Sequence, residues 1–406
     1  MNFKLAAKLV FSYILANKRW FILGLIISLA LIFIYPKLIK PGKITIGLVG
    51  NYTVGTLPRA IQEEISFGLV QASASWEATD SGKIFIFNLN PNLSWQDGQK
   101  LKSKEIDFNL KGVEIQKPND YQIKFILKTP FAPLPVLLSQ PLFKNGFVGL
   151  GKEKVVSVKF NGRFLASLEL QSKIYKFYPS EANLVTAFKL GAVKQAQGLH
   201  HNYNLNGTTK INGRTIATIF FNLQKKPFDE KIFRQSLTYA LPNDFSEGER
   251  VYGPVTKDSW VPTDLIKKYP HKDASVSGKI KINLLTTKDL VEVAERVAKD
   301  WTVAGMPTTV QVSDFPPADF DAYLTYLSLP ADPDQYALWH STQTGNLSGY
   351  KSFKVDKLLE DGRQTLDQDK REEIYANFLK AITEDVPAAF LFYPKVYLIS
   401  KFPPGK

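Results

Sequence analysis

The chain of 406 residues is too long for one ordinary hydrophobic core, and with 44% apolar and 13% aromatic residues its composition excludes a disordered chain. It has no cysteine, which excludes disulfides, thiolate-ligated zinc, thiol nucleophiles and the cysteine that carries a bacterial lipid anchor. The net charge is +13, but the lysines are scattered and no nucleic-acid motif accompanies them, so the charge reads as a basic surface beside an anionic envelope, with no nucleic-acid partner.

Trp20 to Tyr35 is an uncharged apolar run, WFILGLIISLALIFIY. As a helix, it spans about 24 Å at ~1.5 Å per residue. A hydrocarbon core is about 30 Å thick, and Leu38 and Ile39 extend the run towards that length. Trp20 and Tyr35 stand at its ends, where interfacial aromatics are favoured. The residues that follow, Pro36 to Lys40, offer no small-residue cleavage site. The expectation is therefore one uncleaved N-terminal transmembrane helix, with lipid contact through residues 20–39. The charges around it lean towards a cytoplasmic N-terminus and an extracytoplasmic soluble part.

Ile44 to Val49 reads as a first strand. Ile61, Ile65 and Leu69 recur at helical spacing and predict a helix over 60–70. Strands are predicted over 83–89 and 121–127, with a turn at Asp97-Gly98 between them. Prolines 130, 133, 135 and 141 mark a loop or boundary. Ile216 to Leu223 is a run of strand formers. After Pro227 a helix is predicted, with Ile232, Phe233, Leu237 and Ala240 on one side. A strand over 279–285, a helix with Leu290, Val293, Ala294, Val297 and Trp301, a stop at Gly305 and a strand over 308–312 follow. That strand–helix–strand order predicts an α/β fold with parallel pairing. A last helix is predicted over 368–384, then strand-like sequence from Ala388 to Ser400.

Catalytic chemistry finds no support in the residues. The four histidines, His200, His201, His271 and His340, lack metal-binding spacing, and the His200-His201 pair reads as a surface loop. No nucleophile elbow, phosphate-binding loop or dinucleotide fingerprint occurs. The carboxylate pairs Glu63-Glu64 and Glu372-Glu373 are adjacent on helices and diverge, so they form no acid/base pair by themselves. No catalytic residue, metal or cofactor is expected.

Several blocks, taken together, resemble the oligopeptide/dipeptide-type (family 5) extracytoplasmic solute-binding proteins of ABC importers. The first block carries Gly68, Leu69, Trp76, Phe87, Leu89, Trp95, Asp97, Gly98, Leu101 and Asp107. Tyr121 to Pro135 follows, then Phe220-Phe221-Asn222 with PFDEKIFRQSLTYA at 227–240. Phe320-Asp321 with Asp332-Pro333-Asp334 comes next, and REEIYANFLKAITEDVP at 371–387 with Phe390 to Tyr393 closes the series. The blocks run in the family's order and cover nearly everything after residue 44.

The resemblance implies a two-lobed periplasmic-binding-protein-like fold (type II) with an extra subdomain in lobe 1. Lobe 1 would take 44–221 with the subdomain at about 59–151, lobe 2 would take 222–387, and 388–406 would return to lobe 1. It implies a non-enzymatic, membrane-anchored protein that delivers a peptide or other small solute to ABC permease subunits. The alternative is a sensor or scaffold ectodomain that kept the fold without transport. Because aromatics offer rigid apolar faces with a polar tip, the ligand-binding candidates are Tyr52, Thr53, Asn222, Tyr326, Asp332 and Trp339. Three departures accompany the resemblance. The soluble part is short for the family, especially in lobe 2, and a membrane span replaces the lipid-anchor cysteine. Leu329 stands where the family's peptide binders place the aspartate that holds the ligand amine. Peptides with free amino termini are therefore expected to bind weakly.

Overall fold

The computed structural model describes residues 42–272 and 280–401. The apolar run at 20–35 lies outside them, and among the described residues no helix is long and apolar enough to cross a membrane.

The chain enters the fold through strand β1 (Ile44–Val49) and then helix α1 (Arg59–Ile65). The predicted single helix over 60–70 is broken. Ser66 is extended and caps α1 through its main-chain N–H, and helix resumes only at Leu69–Ala72. At the break the main chain pairs with a distant segment, Phe67 O accepting from Leu142 N and Leu69 N donating to Leu138 O, and only glycine fits at 68, where a Cβ would lie 2.3 Å from the Ser139 carbonyl carbon. Ile61, Ile65 and Leu69 are buried all the same.

Strands β2 (Ser73–Thr79), β3 (Ile84–Leu89), β4 (Val113–Asn119) and β5 (Gln122–Leu127) form an antiparallel sheet of their own, in the order β2-β3-β5-β4. Its inward residues alternate along the strands: Phe85, Phe87 and Leu89 on β3, and Ile123 and Phe125 on β5, pack with Trp95 and Leu101. The Asp97-Gly98 turn forms as predicted, with Gly98 at φ +88° and the Asp97 carboxylate accepting from Gln99 N.

The second sheet is larger. Besides β1, its members are β6 (Val155–Asn161), β7 (Phe164–Leu170), β8 (Lys173–Tyr178), β9 (Gln195–Leu199), β10 (Gly207–Ile211) and β11 (Thr215–Phe221). It continues with β12 (Gly248–Arg250), β13 (Ile282–Thr286), β14 (Thr308–Val312), β15 (Ala322–Ser328) and β16 (Ala388–Ser400). The order is β14-β13-β15-β11-β16-β9-β1-β8-β7-β6, with β10 and β12 also paired to β16. β16 is the seam. Its first residues pair with β11 and β12, and its last with β10 and β9. The change falls at Pro394, which faces Gly248, and Lys395, which faces Ile211.

β11 is buried on both faces, which accounts for its run of apolar and β-branched residues. Ala217, Ile219 and Phe221 face a core built with α3 (Lys231–Tyr239) and α4 (Val291–Val303). Ile216 and Phe220 face the opposite core, built with α5 (Phe353–Gln364) and α6 (Gln368–Asp385). The predicted register of α4 holds, with Leu290, Val293, Ala294, Val297 and Trp301 buried. β13 pairs in parallel with β14, as the strand–helix–strand order requires. On α3, however, Ile232 is exposed. It adjoins Phe233, and neighbouring positions on a helix point about 100° apart.

Candidate functional site

The carboxyl ends of two parallel strand pairs meet at one open cavity of about 580 Å³. β1 and β9 run parallel, and the residues at their ends, Leu48, Val49, Tyr52, Gln197, His200 and His201, form one wall with Tyr203. Helix α2 (Glu181–Lys189) starts in the same wall. The opposite wall is Lys288 and Asp289, which follow β13 and lead into α4. The two walls come from opposite sides of the β16 seam. A crevice outside the carboxyl ends of parallel strands is where open α/β sheets bind ligands, and the volume suits a small molecule or short peptide.

Glu181 organises the first wall. It is the first-turn acid of α2, where the helix dipole favours negative charge. One carboxylate oxygen accepts from His200 N at 2.6 Å. The other accepts from His201 N at 3.4 Å and the Tyr203 hydroxyl at 3.1 Å, and lies 2.9 Å from His201 Nδ1. Burial, with the Glu181 charge behind it, pushes the Tyr203 phenol up to about 12. This clamp sets the His200 ring against Tyr326, stacked at 5.4 Å between centres. His200 Nδ1 is buried and has no hydrogen-bond partner among the described residues. Burial raises the Tyr326 phenol, and the charges of Asp289, Glu181 and Glu247 add to the shift.

The six residues named from sequence do not share one cavity. Tyr52 lines this one; its hydroxyl donates to Val49 O at 2.7 Å, and burial raises its pKa. Tyr326 reaches the same wall through His200. Thr53 turns away, its N–H donated to Thr56 Oγ1 at 2.8 Å. Asn222 is buried and spent on main chain: its amide donates to Ala318 O and Phe320 O, and its oxygen accepts from Gln224 N. Asp332 is buried against Arg371, with 2.7 Å between Oδ1 and a guanidinium nitrogen. Trp339 is 1% exposed, stacked on Phe220 and bonded to Gln335. Leu329 is buried in the core shared with α5 and α6. The cavity also takes Glu181, Lys288 and Asp289, which are not among the residues named from sequence, and the His200-His201 pair, expected as a surface loop. The available signals were a histidine pair at a strand end and charged residues just before helical periodicity. Among the described residues no cluster of histidines and carboxylates is arranged to hold a metal ion.

The architecture is a mixed α/β fold of the periplasmic-binding-protein kind. In fold, the chain is similar to the ABC transporter substrate-binding protein CtaP from Listeria monocytogenes: TM-score 0.73, 19% identity, 88% of this chain and 93% of that one. It is also similar to the oligopeptide-binding protein AppA from Bacillus subtilis in complex with a nonapeptide, with TM-score 0.69, 20% identity and coverage of 89% and 94%. By sequence, the curated AppA of Bacillus subtilis is 24% identical over 423 residues, spanning 79% of this chain and 77% of that protein. A probable D,D-dipeptide-binding periplasmic protein of Escherichia coli is 20% identical over a similar span. No family model matches the chain. The homologues are oligopeptide- and dipeptide-binding proteins, not enzymes, and the structural neighbours are substrate-binding proteins of ABC transporters.

Proposed function

We propose that the protein is a solute-binding component of an ABC importer that takes a peptide or peptide-like ligand between its two walls and presents it to permease subunits. The observation that carries the reading is the cavity itself, open and lined from both sides of the β16 seam. A cleft filled by its own side chains would favour the sensor or scaffold alternative. In this reading the walls belong to two lobes, divided as the sequence suggests at 221/222 and 387/388, with 59–151 as a subdomain carrying its own sheet. β11 and β16 then lie at the hinge, and the His200–Tyr326 stack is a contact between the lobes that opening would break.

The ligand class follows from what the cavity offers. Tyr52 and Tyr203 supply rigid aromatic surface, and Lys288 and Asp289 place both signs of charge side by side. Leu329 is apolar and Glu181 is occupied by its own loop, so ligands with a blocked or uncharged end are expected to bind better than peptides with free amines. Asp289 is the cavity carboxylate that would hold an amine if this expectation fails. The apolar run at 20–35 anchors the chain in the cell membrane in the same reading, with the soluble part extracytoplasmic.

A thermal-shift screen of short peptides, N-acetylated peptides and uncharged solutes tests the assignment. A true ligand at a hundred times its dissociation constant stabilises the fold by about 2.7 kcal/mol. A screen in which no solute moves the transition sinks the transport reading. An amine-dependent ligand that Asp289→Asn abolishes removes the expectation from Leu329 and leaves the transport reading intact.

A further inference from the structure

At the sheet edge opposite the cavity, where β1 and β9 begin and α2 ends, lysines surround an exposed leucine. Lys194 donates its main-chain N–H to Thr45 O at 2.8 Å, and its carbonyl accepts from Lys401 N at 3.0 Å, so three chain segments meet there. The Lys401 ammonium lies 5.6 Å from the Phe188 ring centre and 3.2 Å from where a side chain on Gly191 would begin. Lys176 Nζ donates to Ala192 O at 3.1 Å. Lys189 is the last residue of α2, where the helix dipole favours a cation. Lys189, Lys194 and Lys401 are exposed, and Leu190 is 81% exposed. The sequence has no carboxylate from 182 to 228 or from 386 to 406.

We propose that this edge, formed by Lys176, Lys189, Leu190, Lys194 and Lys401, docks the protein on an anionic membrane surface. An apolar side chain flanked by lysines matches the chemistry of an interface, where the chain enters the headgroup layer and the ammonium groups meet lipid phosphates. The length of the connecting chain argues for a membrane over other acidic partners. Residues 36–44 separate the apolar run from Thr45, and nine residues extend at most about 30 Å. Thr45 is bonded to Lys194, so an inserted run holds the patch within that distance of the bilayer, where a weak surface attraction suffices. The cavity sits at the other end of β1, so docking leaves it open to solvent. The inference rests on the anchor reading.

The test uses the full chain in vesicles of phosphatidylcholine alone or mixed with phosphatidylglycerol, treated with a membrane-impermeant acylating reagent and read by mass spectrometry. Lys189, Lys194 and Lys401 are expected to label about fivefold or more slowly in the anionic vesicles at low salt. The difference should vanish near 1 M salt, where the Debye length is about 3 Å, and Lys299 and Lys354 should label alike throughout. Equal patch labelling in both vesicles at low salt overturns the proposal, as does protection that is the same in both and insensitive to salt. Alkaline extraction separates the two readings. A chain that washes off the vesicles sinks the anchor and the docking with it, whereas a chain that stays but labels equally sinks the docking alone.

Discussion

Asp332 and Arg371 form a pair whose side chains are 8% and 9% exposed, joined at 2.7 Å. Arg371 Nε also donates to Gly362 O, and its guanidinium lies 5.5 Å from the Trp260 ring centre. Replacing Arg371 by Met leaves a buried carboxylate without its partner, which costs about 3–5 kcal/mol. Urea denaturation is expected to show a loss of that size for Arg371→Met, and a smaller one when Asp332→Leu is added. Asp334, in the same turn, titrates in the opposite sense from an ordinary ion-paired carboxylate. Burial raises its pKa, and Arg363 only partly opposes the shift. A folded pKa above the unfolded one means that the folded state holds this proton more tightly. Its contribution is therefore fully present below the usual carboxylate range and is lost as pH rises through the raised value. Urea midpoints across the acid range should fall less with rising pH in Asp334→Asn than in the parent, and an unchanged profile would rule out this assignment.

At the level of elements, the loop after β9 depends on the first residue of α2. Glu181 satisfies two main-chain N–H groups and orients His201 and Tyr203. Hydrogen bonds to a charged acceptor contribute about 1.5–3 kcal/mol. Glu181→Ala is expected to speed hydrogen exchange at His200 and His201 and to weaken ligand binding, with β13 to β15 unchanged. Unaltered exchange in the loop would show that Glu181 is not its organiser. Elements with strong local periodicity were legible from sequence: β1, β11, α4 and α6 stand where apolar spacing placed them. The break at Ser66 was not, because there the main chain pairs with Leu138 and Leu142, which lie far along the sequence. The site was legible only in part. Tyr52 follows β1 and could be read from strand ends. Asn222, Asp332 and Trp339 carry suitable chemistry, but caps, a buried ion pair and core packing consume it, and those partners lie up to 98 residues away. The strands between 155 and 199 went unread because polar residues interrupt their alternation.

On the scale of the whole molecule, one long sheet changes partners along β16, and the cavity lies where the carboxyl ends of its two parallel sections face each other. That arrangement explains why the residues lining the cavity come from distant parts of the sequence, Tyr52 and Glu181 on one wall and Lys288 and Asp289 on the other. It also makes His200 and Tyr326 a contact between the two sides. Calorimetric titration tests the binding assignment most directly. The full chain in detergent micelles, titrated with free and N-acetylated di- to pentapeptides, is expected to give saturable one-site binding that Tyr52→Ala, at a residue lining the cavity, weakens about tenfold, a loss of ~1.4 kcal/mol. Absence of heat with every ligand, or equal binding by parent and Tyr52→Ala, would contradict a solute site between these walls.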